Sequence, residues 1–126
     1  MYNLAIQLLN MLEKIHVSGF IYNDLKLENI LLGYGQKLPV DCTSGNCFQN
    51  VILTLVDFGF ASRYINKQTG EHEPVSKVSC FRGNLLFSSK YKMQFDRTSR
   101  RDDIISLFYL MVYLLNQGNM PGINWR

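Results

Sequence analysis

Apolar residues recur every three or four positions near the start of the chain, with polar residues between them. This spacing predicts an amphipathic helix that buries one face. Gly19 follows the periodic segment where a helix end is expected. The residues that carry the period are Leu4, Leu8, Met11, Leu12 and Ile15.

Two short segments further along favour extended structure. Residues 30–32 are apolar, and residues 51–56 are strongly apolar with several β-branched side chains. The tripeptide Asp57-Phe58-Gly59 ends the second strand with a turn. Residues 34–50 are rich in Gly, Asn, Ser and Thr, which predicts a surface loop between the two strands.

The second half of the chain divides into an irregular segment and a helix. Residues 61–100 are polar, basic and without a clear period, and a loop of that length is unusual unless it is functional. Residues 101–117 predict a helix that is apolar almost all round and therefore buried in a larger body, ending at Gly118. We expect four of its positions to be largely inaccessible: Leu107, Leu110, Met111 and Leu114.

Length and composition predict one packed domain, since the chain has 126 residues of which 47% are hydrophobic. The net charge of +3 names no partner. Charge is unevenly distributed, however, because residues 63–102 contain nine basic and four acidic side chains. Such a segment is either a solvated loop region or a surface for phosphate, phosphorylated peptide or nucleic acid.

The cysteines and the hydropathy pattern indicate the compartment. Three cysteines are an odd number, and Cys42 and Cys47 lack the further ligands that a zinc site needs. Reduced thiols fit a cytoplasmic or nuclear protein best. The N-terminus shows no secretory signal, and the longest apolar stretch, residues 104–115, is too short to span a membrane.

Two acidic clusters carry candidate chemistry, residues 24–29 and the Asp57-Phe58-Gly59 turn. Phosphoryl transfer needs a carboxylate for the attacking hydroxyl, a cation near the moving group and oxygen ligands for magnesium. Asp24 and Lys26 supply the first two, and they point the same way if the loop is extended. Asn29 and Asp57 supply the third.

The order of these residues resembles the protein kinase family. Its catalytic loop reads His-Arg-Asp, a short spacer and Asn, followed downstream by Asp-Phe-Gly. Here residues 20–29 read Phe-Ile-Tyr-Asn-Asp-Leu-Lys-Leu-Glu-Asn. Residues 98–107, Thr-Ser-Arg-Arg-Asp-Asp-Ile-Ile-Ser-Leu, resemble the Ser-Arg-Arg-Asp-Asp signature of casein kinase 1, and Ser88-Ser89-Lys90 stands where most kinases have Ala-Pro-Glu. The resemblance to casein kinase 1 runs from Leu4 to Pro121.

This resemblance implies an α+β, protein-kinase-like fold: a mainly α portion of the large lobe with a short β hairpin and no small lobe, residues 1–126 forming a partial catalytic domain. It implies a serine/threonine kinase that transfers the γ-phosphoryl group of ATP to protein. By this resemblance Asp24 and Lys26 are expected to be the catalytic residues. Lys26, Asn29 and Asp57 bind the nucleotide, and Asn29 and Asp57 bind Mg²⁺. The partners are ATP and a protein substrate, without nucleic acid or membrane.

The resemblance also assigns a scaffold residue, since Asp103 matches the buried aspartate that holds the catalytic-loop backbone. The alternative is a carboxylate favoured by the helix macrodipole. Several positions depart from the family pattern. Tyr22 and Asn23 replace the His and Arg, so activation by loop phosphorylation is not expected, and Tyr22 can fill the structural place of the His. Asn84 replaces a Thr that bonds the catalytic Asp and Lys, and Leu86 replaces an anion-binding Arg.

The sequence has no Gly-rich loop, no strand lysine paired with a helix glutamate, and no hinge. We therefore expect a fragment that is inactive alone. These absences, with Asn23 and Asn84, favour an alternative: a non-catalytic pseudokinase or interaction module. A third reading, a nucleic-acid binder that uses the basic segment, lacks the aromatic residues interleaved with basic ones that such a surface needs.

Overall fold

The computed structural model describes residues 2–33 and 51–123. The predicted loop at residues 34–50 lies outside the described residues. In chain order the elements are α1 (Tyr2–Val17), β1 (Phe20–Ile21), a 3₁₀ turn (Leu27–Asn29), β2 (Ile30–Leu32), β3 (Leu53–Leu55), β4 (Ser62–Arg63), α2 (Lys90–Met93) and α3 (Arg100–Leu115). The α+β class predicted from the sequence is confirmed.

The helix α1 buries one face, as its apolar period predicts. Leu4, Leu8 and Leu12 are 6%, 0% and 0% exposed and belong to the hydrophobic core. The core also receives Leu107 and Leu110 from α3, so the two long helices enclose much of it between them. Gly19 follows α1 with φ +85, a left-handed conformation that glycine adopts without a steric penalty.

Two antiparallel strand pairs hold the loops beside this core. In the first, Ile30 lies opposite Leu55 and Leu32 opposite Leu53, which confirms both predicted strands. In the second, Phe20 lies opposite Arg63 and Ile21 opposite Ser62. This second pair was not predicted, because two-residue strands carry too few side chains to establish a period.

The helix α3 is buried on one side. Leu107 and Leu110 are 7% and 0% exposed, as predicted, while Met111 and Leu114 are partly buried against the core. Within the described residues the helix is not buried all round, since Ile104 and Phe108 are 40% and 65% exposed, and its burial in a larger body stays a prediction. Within the described part of the chain α1 is the one long helix that packs on α3, so the opposite face is left open.

The basic segment is ordered by polar contacts more than by an apolar core. Its short helix α2 is capped by Ser89, whose Oγ accepts from Lys92 N at 3.1 Å and donates to Asp102 Oδ1. Asp102 Oδ2 in turn accepts from Ser99 N at 2.7 Å, at the start of α3. Hydrogen bonds of this kind leave no hydrophobic period for the sequence to reveal. No helix in the described ranges is both long and apolar enough to cross a membrane.

Candidate active site

Asp24 lies in the loop between β1 and β2, and its side chain is almost fully buried. Lys26 has an extended backbone, φ −158 and ψ 164, so its side chain points to the same side as that of Asp24. The Nζ atom of Lys26 is 3.0 Å from Oδ2 of Asp24, as the spacing predicted. The hydrogen bond to Asp24, together with nearby carboxylates, raises the pKa of Lys26, which keeps this ammonium charged.

Asn29 ends the 3₁₀ turn, and its amide closes the loop onto Asp24. The Nδ2 atom donates to the backbone carbonyl of Asp24 and to Asp24 Oδ2, both at 2.9 Å. Lys26 and Asn29 therefore both contact the same carboxylate oxygen. The other oxygen, Oδ1, is buried and has no hydrogen-bond partner among the described residues. A buried acceptor without a hydrogen bond costs free energy, and a donor on a bound ligand can supply the missing bond.

Gly83, from the basic segment, lies against this buried, unpaired oxygen. A Cβ atom at position 83 would be 3.3 Å from Asp24 Oδ1 and 2.5 Å from the carbonyl oxygen of Asn23. Gly83 also has φ +94, which other residues rarely adopt. The close approach of the two segments therefore depends on the absence of a side chain at this position.

Asp57 is brought to the same end of the β2–β3 hairpin as Asn29. Val56 N donates to the carbonyl of Asn29 at 3.0 Å, one step beyond the last pair of the strand register. Asp57 has φ +58 and an exposed side chain whose Oδ1 accepts from Gly59 N at 3.1 Å. The predicted metal residues therefore lie at one end of one hairpin, with the carboxylate of Asp57 open to solvent.

Tyr22 links the loop that carries Asp24 to the turn that carries Asp57. Its hydroxyl donates to the carbonyl of Val56 at 2.6 Å, and its ring meets Phe58 edge-on at 5.3 Å. Burial, assisted by nearby carboxylates, raises the pKa of Tyr22 to about 12, so the phenol stays protonated and able to donate. Tyr22 is thus buried and hydrogen-bonded, as a structural residue would be, and its equivalence to the family's His stays a prediction.

Asp103, at the start of α3, binds the backbone of the loop that carries Asp24. Its Oδ1 accepts from Asn23 N and its Oδ2 from Tyr22 N, both at 2.8 Å. The scaffold role predicted for Asp103 is confirmed, and the competing reading as a simple helix-dipole carboxylate does not account for these contacts. His16 is a further partner, since its Nε2 lies 2.8 Å from Oδ2.

Sequence reasoning missed His16, although a signal was present. His16 is 8% exposed and continues the four-residue ladder of buried positions on α1 that begins at Leu4. A histidine at the end of a buried ladder needs a polar partner. The position therefore indicated a buried contact, but it did not indicate which residue supplies it.

Asn84 does not make the contacts expected of the Thr that it replaces. Its Oδ1 accepts from Phe87 N at 3.0 Å, and within the described ranges no hydrogen bond joins it to Asp24 or Lys26. The side chain closes a local turn, since an Asn readily bonds backbone donors a few residues ahead. Leu86 packs against the hydrophobic core and offers no group to an anion.

Lys92 is the second residue that sequence reasoning missed. It is 7% exposed, and its Nζ donates to the carbonyl of Asn23 at 2.5 Å. Burial lowers its pKa, while the carboxylates of Asp103, Asp24 and Asp102 act in the opposite direction. A buried lysine in a basic, polar segment has no sequence signature, because its surroundings come from distant parts of the chain.

A cavity of about 540 Å³ opens beside this loop. Asn23 and Lys92 form part of its wall, and most of the rest comes from residues 77–82 and 96–98. Four further cationic side chains reach the cavity: Arg63, Lys77, Arg82 and Arg97. The basic segment therefore contributes to a concave surface beside the loop that carries Asp24, which favours a surface for phosphate or phosphorylated peptide over a merely solvated loop.

The donor set suits magnesium held together with a phosphate ligand. No group of three or more His, Cys, Asp or Glu side chains able to hold a metal occurs in residues 2–33 and 51–123. Mg²⁺ usually takes one or two carboxylates and completes its shell with water and phosphate oxygens. Asp57 and Asn29 supply oxygen ligands of the right kind, so the residues fit this ion.

Comparison with known proteins places these features in a family. The family profile "Protein kinase domain" matches residues 1–121. The chain is 33% identical over 119 residues to "Casein kinase 1-like protein HD16" of Oryza sativa subsp. japonica, an alignment that covers 94% of the chain. It covers 15% of the relative, so the chain spans a small part of the length of that curated protein. Because the profile extends over nearly all of its residues, the chain belongs to the protein kinase family.

Proposed function

We propose that the chain is the catalytic-loop portion of a serine/threonine protein kinase similar to casein kinase 1. It would transfer the γ-phosphoryl group of ATP to a Ser or Thr hydroxyl of a protein. The observation that carries the proposal is the state of Asp24: two donors occupy Oδ2, while the buried Oδ1 has no partner in the described part of the chain. One carboxylate oxygen is thus left to receive a hydroxyl.

Each residue has a role that follows from this arrangement. Oδ1 of Asp24 orients the acceptor hydroxyl and takes its proton as the phosphoryl group moves. Lys26, held at 3.0 Å from Asp24, places a positive charge beside the transferred group. Catalysis of this kind relies on positioning and charge stabilisation, and the hydrogen bonds of Asn29 and Asp103 supply the positioning.

The nucleotide and its metal ion would bind at the end of the β2–β3 hairpin that carries Asn29 and Asp57. Asn29 and Asp57 would hold Mg²⁺, and Lys26 would assist in binding the phosphates. When bound, the ion neutralises charge on the phosphate oxygens. The exposed carboxylate of Asp57, fixed by the contact of Val56 with Asn29, supports this assignment.

The segment fits the large lobe of a kinase, with the adenine held by a small lobe. Asp24, Lys26, Asn29 and Asp57 all lie between α1 and the basic segment in chain order. The cationic cavity next to Asn23 would receive the substrate polypeptide. Reduced cysteines favour a cytoplasmic or nuclear location.

A second candidate function is a non-catalytic pseudokinase. The observation that favours it is Asn84, which bonds Phe87 and leaves Asp24 and Lys26 without the support expected from that position. A pseudokinase would keep the fold and the interaction surfaces without transferring phosphate. Retention of Asp24, Lys26, Asn29 and Asp57 in bonded positions argues for the enzyme.

The test is magnesium-dependent transfer of radiolabelled phosphate from ATP to casein by a kinase domain that includes the small lobe. We expect transfer by the wild type and its loss, by about a thousandfold or more, in Asp24→Asn and Asp57→Asn. Glu71→Gln is the matched control, since its exposed carboxylate belongs neither to the loop nor to the lining of the cationic cavity. A wild-type domain that binds ATP and Mg²⁺ without transferring phosphate would instead establish the pseudokinase.

A further inference from the structure

Lys92 is a buried cation at the point where three segments meet. Its Nζ atom lies 2.9 Å from the position that a Cβ of Gly83 would occupy, and Asp24 Oδ1 lies 3.3 Å from that same position. The two charged groups therefore both lie close to the same point beside Gly83. Lys26 contacts the other oxygen of the same carboxylate.

The hydrogen bond from Lys92 acts on the peptide that precedes Asp24. Because a peptide unit is planar, the position of the Asn23 carbonyl oxygen fixes the nitrogen of Asp24 as well. Asn23 has φ +71, an uncommon conformation that its surroundings must maintain. The N–H group is held by Asp103, the side-chain Nδ2 by Phe60 O and Ser62 Oγ, and the carbonyl by Lys92.

The bonding of Lys92 is incomplete, as is that of Asp24. An ammonium group has three donors, and the described residues provide Nζ with one acceptor, the Asn23 carbonyl, and the face of Phe81 at 5.2 Å. No carboxylate in the described ranges lies within ion-pair distance of it. Asp24 Oδ1 is an acceptor without a donor. An ammonium group with unused donors and a carboxylate oxygen without a donor therefore lie near each other, beside Gly83.

We propose that Lys92 is a positioning residue of this site, which orients the Asp24 carboxylate toward the acceptor hydroxyl through its hydrogen bond to Asn23. The inference rests on the proposed kinase function. Under this proposal Lys92, on α2, supports the position of Asp24 in place of Asn84. Lys92 is a charged side chain in a buried position, where an apolar one of the same length would cost less to desolvate, and this supports a role beyond packing.

The first test compares Lys92→Met with Lys90→Met in a kinase domain that includes the small lobe. Methionine keeps the apolar stem of Lys92 and removes its ammonium, while Lys90 lies on the same helix with its side chain exposed. We expect kcat to fall about 10- to 100-fold in Lys92→Met, with the KM for ATP within about twofold of wild type. Lys90→Met should match wild type. Lys92→Arg, which keeps the charge, should recover part of the lost kcat.

A second measurement does not depend on activity or on the stability of the Lys92 variants. The side-chain ¹⁵N and ¹³C NMR signals of Lys92 are followed against pH in the wild type, in Asp24→Asn and in Asp96→Asn. Asp24, Asp102 and Asp103 are the carboxylates that favour the charged form of Lys92. Removing the charge of Asp24 should lower the pKa of Lys92 further, while the Asp96 control should leave it unchanged.

Together, the kinetic and NMR measurements distinguish a failure of the Lys92 proposal from a failure of the proposed kinase function. A kcat of Lys92→Met within twofold of wild type, or a Lys92 pKa that is the same in Asp24→Asn and wild type, would overturn the positioning role. A wild-type domain without transfer would overturn the proposed function alone, and the titration would still decide whether Lys92 and Asp24 are coupled.

Discussion

The Nε2 atom of His16 lies 2.8 Å from Oδ2 of Asp103, although the two residues are 87 positions apart. The contact joins the last turn of α1 to the first turn of α3. The same carboxylate accepts from two backbone N–H groups of the loop that carries Asp24. One buried side chain therefore couples the packing of the two long helices to the position of the candidate catalytic aspartate.

Replacing Asp103 by Ala should destabilise the protein strongly. The change leaves the N–H groups of Tyr22 and Asn23, and the ring of His16, without their acceptor in a buried site. We expect a loss of about 3 kcal/mol or more in the free energy of unfolding, measured by urea denaturation. Asp96→Ala, which removes an ion pair with the exposed Lys77, should cost less than about 1 kcal/mol. Equal effects of the two changes would contradict the scaffold role.

Gly83→Ala and Gly70→Ala should differ sharply. Both glycines have positive φ, +94 and +72, so each substitution carries a backbone cost of about 1 kcal/mol. The Cβ at Gly83 would also lie 2.5 Å from the Asn23 carbonyl, whereas nothing lies within 4 Å of the one at Gly70. We expect Gly83→Ala to lower both the melting temperature and the rate of phosphoryl transfer in the complete domain. Gly70→Ala should lower the melting temperature slightly and leave the rate unchanged.

Tyr22→Phe should change the dependence of stability on alkaline pH. Burial raises the pKa of Tyr22 from 10.0 to about 12, so between these values the unfolded chain ionises while the folded protein keeps its proton. The free energy of unfolding therefore falls as pH rises through this window, by up to about 1.4 kcal/mol per pH unit, and is unaffected by this group below pH 10.

At neutral pH the variant should be less stable by about 1 kcal/mol, because it lacks the hydrogen bond to Val56. That difference should shrink and then reverse above pH 10. Tyr2→Phe alters a tyrosine that is 78% exposed and should run parallel to the wild type throughout. Parallel curves for Tyr22→Phe would show that the phenol is not desolvated.

The 126-residue chain, expressed alone, should not phosphorylate casein. Kinase catalysis depends on holding ATP in line with the acceptor, and the sequence has no Gly-rich loop or strand lysine to hold the α- and β-phosphates. Adding a small lobe should restore transfer. Robust magnesium-dependent transfer by the chain alone, lost in Asp57→Asn, would contradict this expectation.

Features that depend on neighbours in the chain were open to prediction. The period of α1, the two strands of the hairpin and the pairing of Lys26 with Asp24 all follow from spacings of a few residues, because side-chain direction repeats regularly along a helix or an extended segment. The resemblance to kinases rested on equally local motifs, and the match to the protein kinase domain confirms it.

Contacts between distant segments were decided by the tertiary structure. Lys92 reaches Asn23 across 69 positions, and His16 reaches Asp103 across 87. Asn84 turns to its own segment because a backbone donor three residues ahead competes with the distant aspartate. By itself the sequence determined the family and the candidate chemistry of Asp24, Lys26, Asn29 and Asp57. Which other side chains surround Asp24 depends on how α2 and α3 pack against the loop, since burial and charge at a site are sums over residues that share no local pattern.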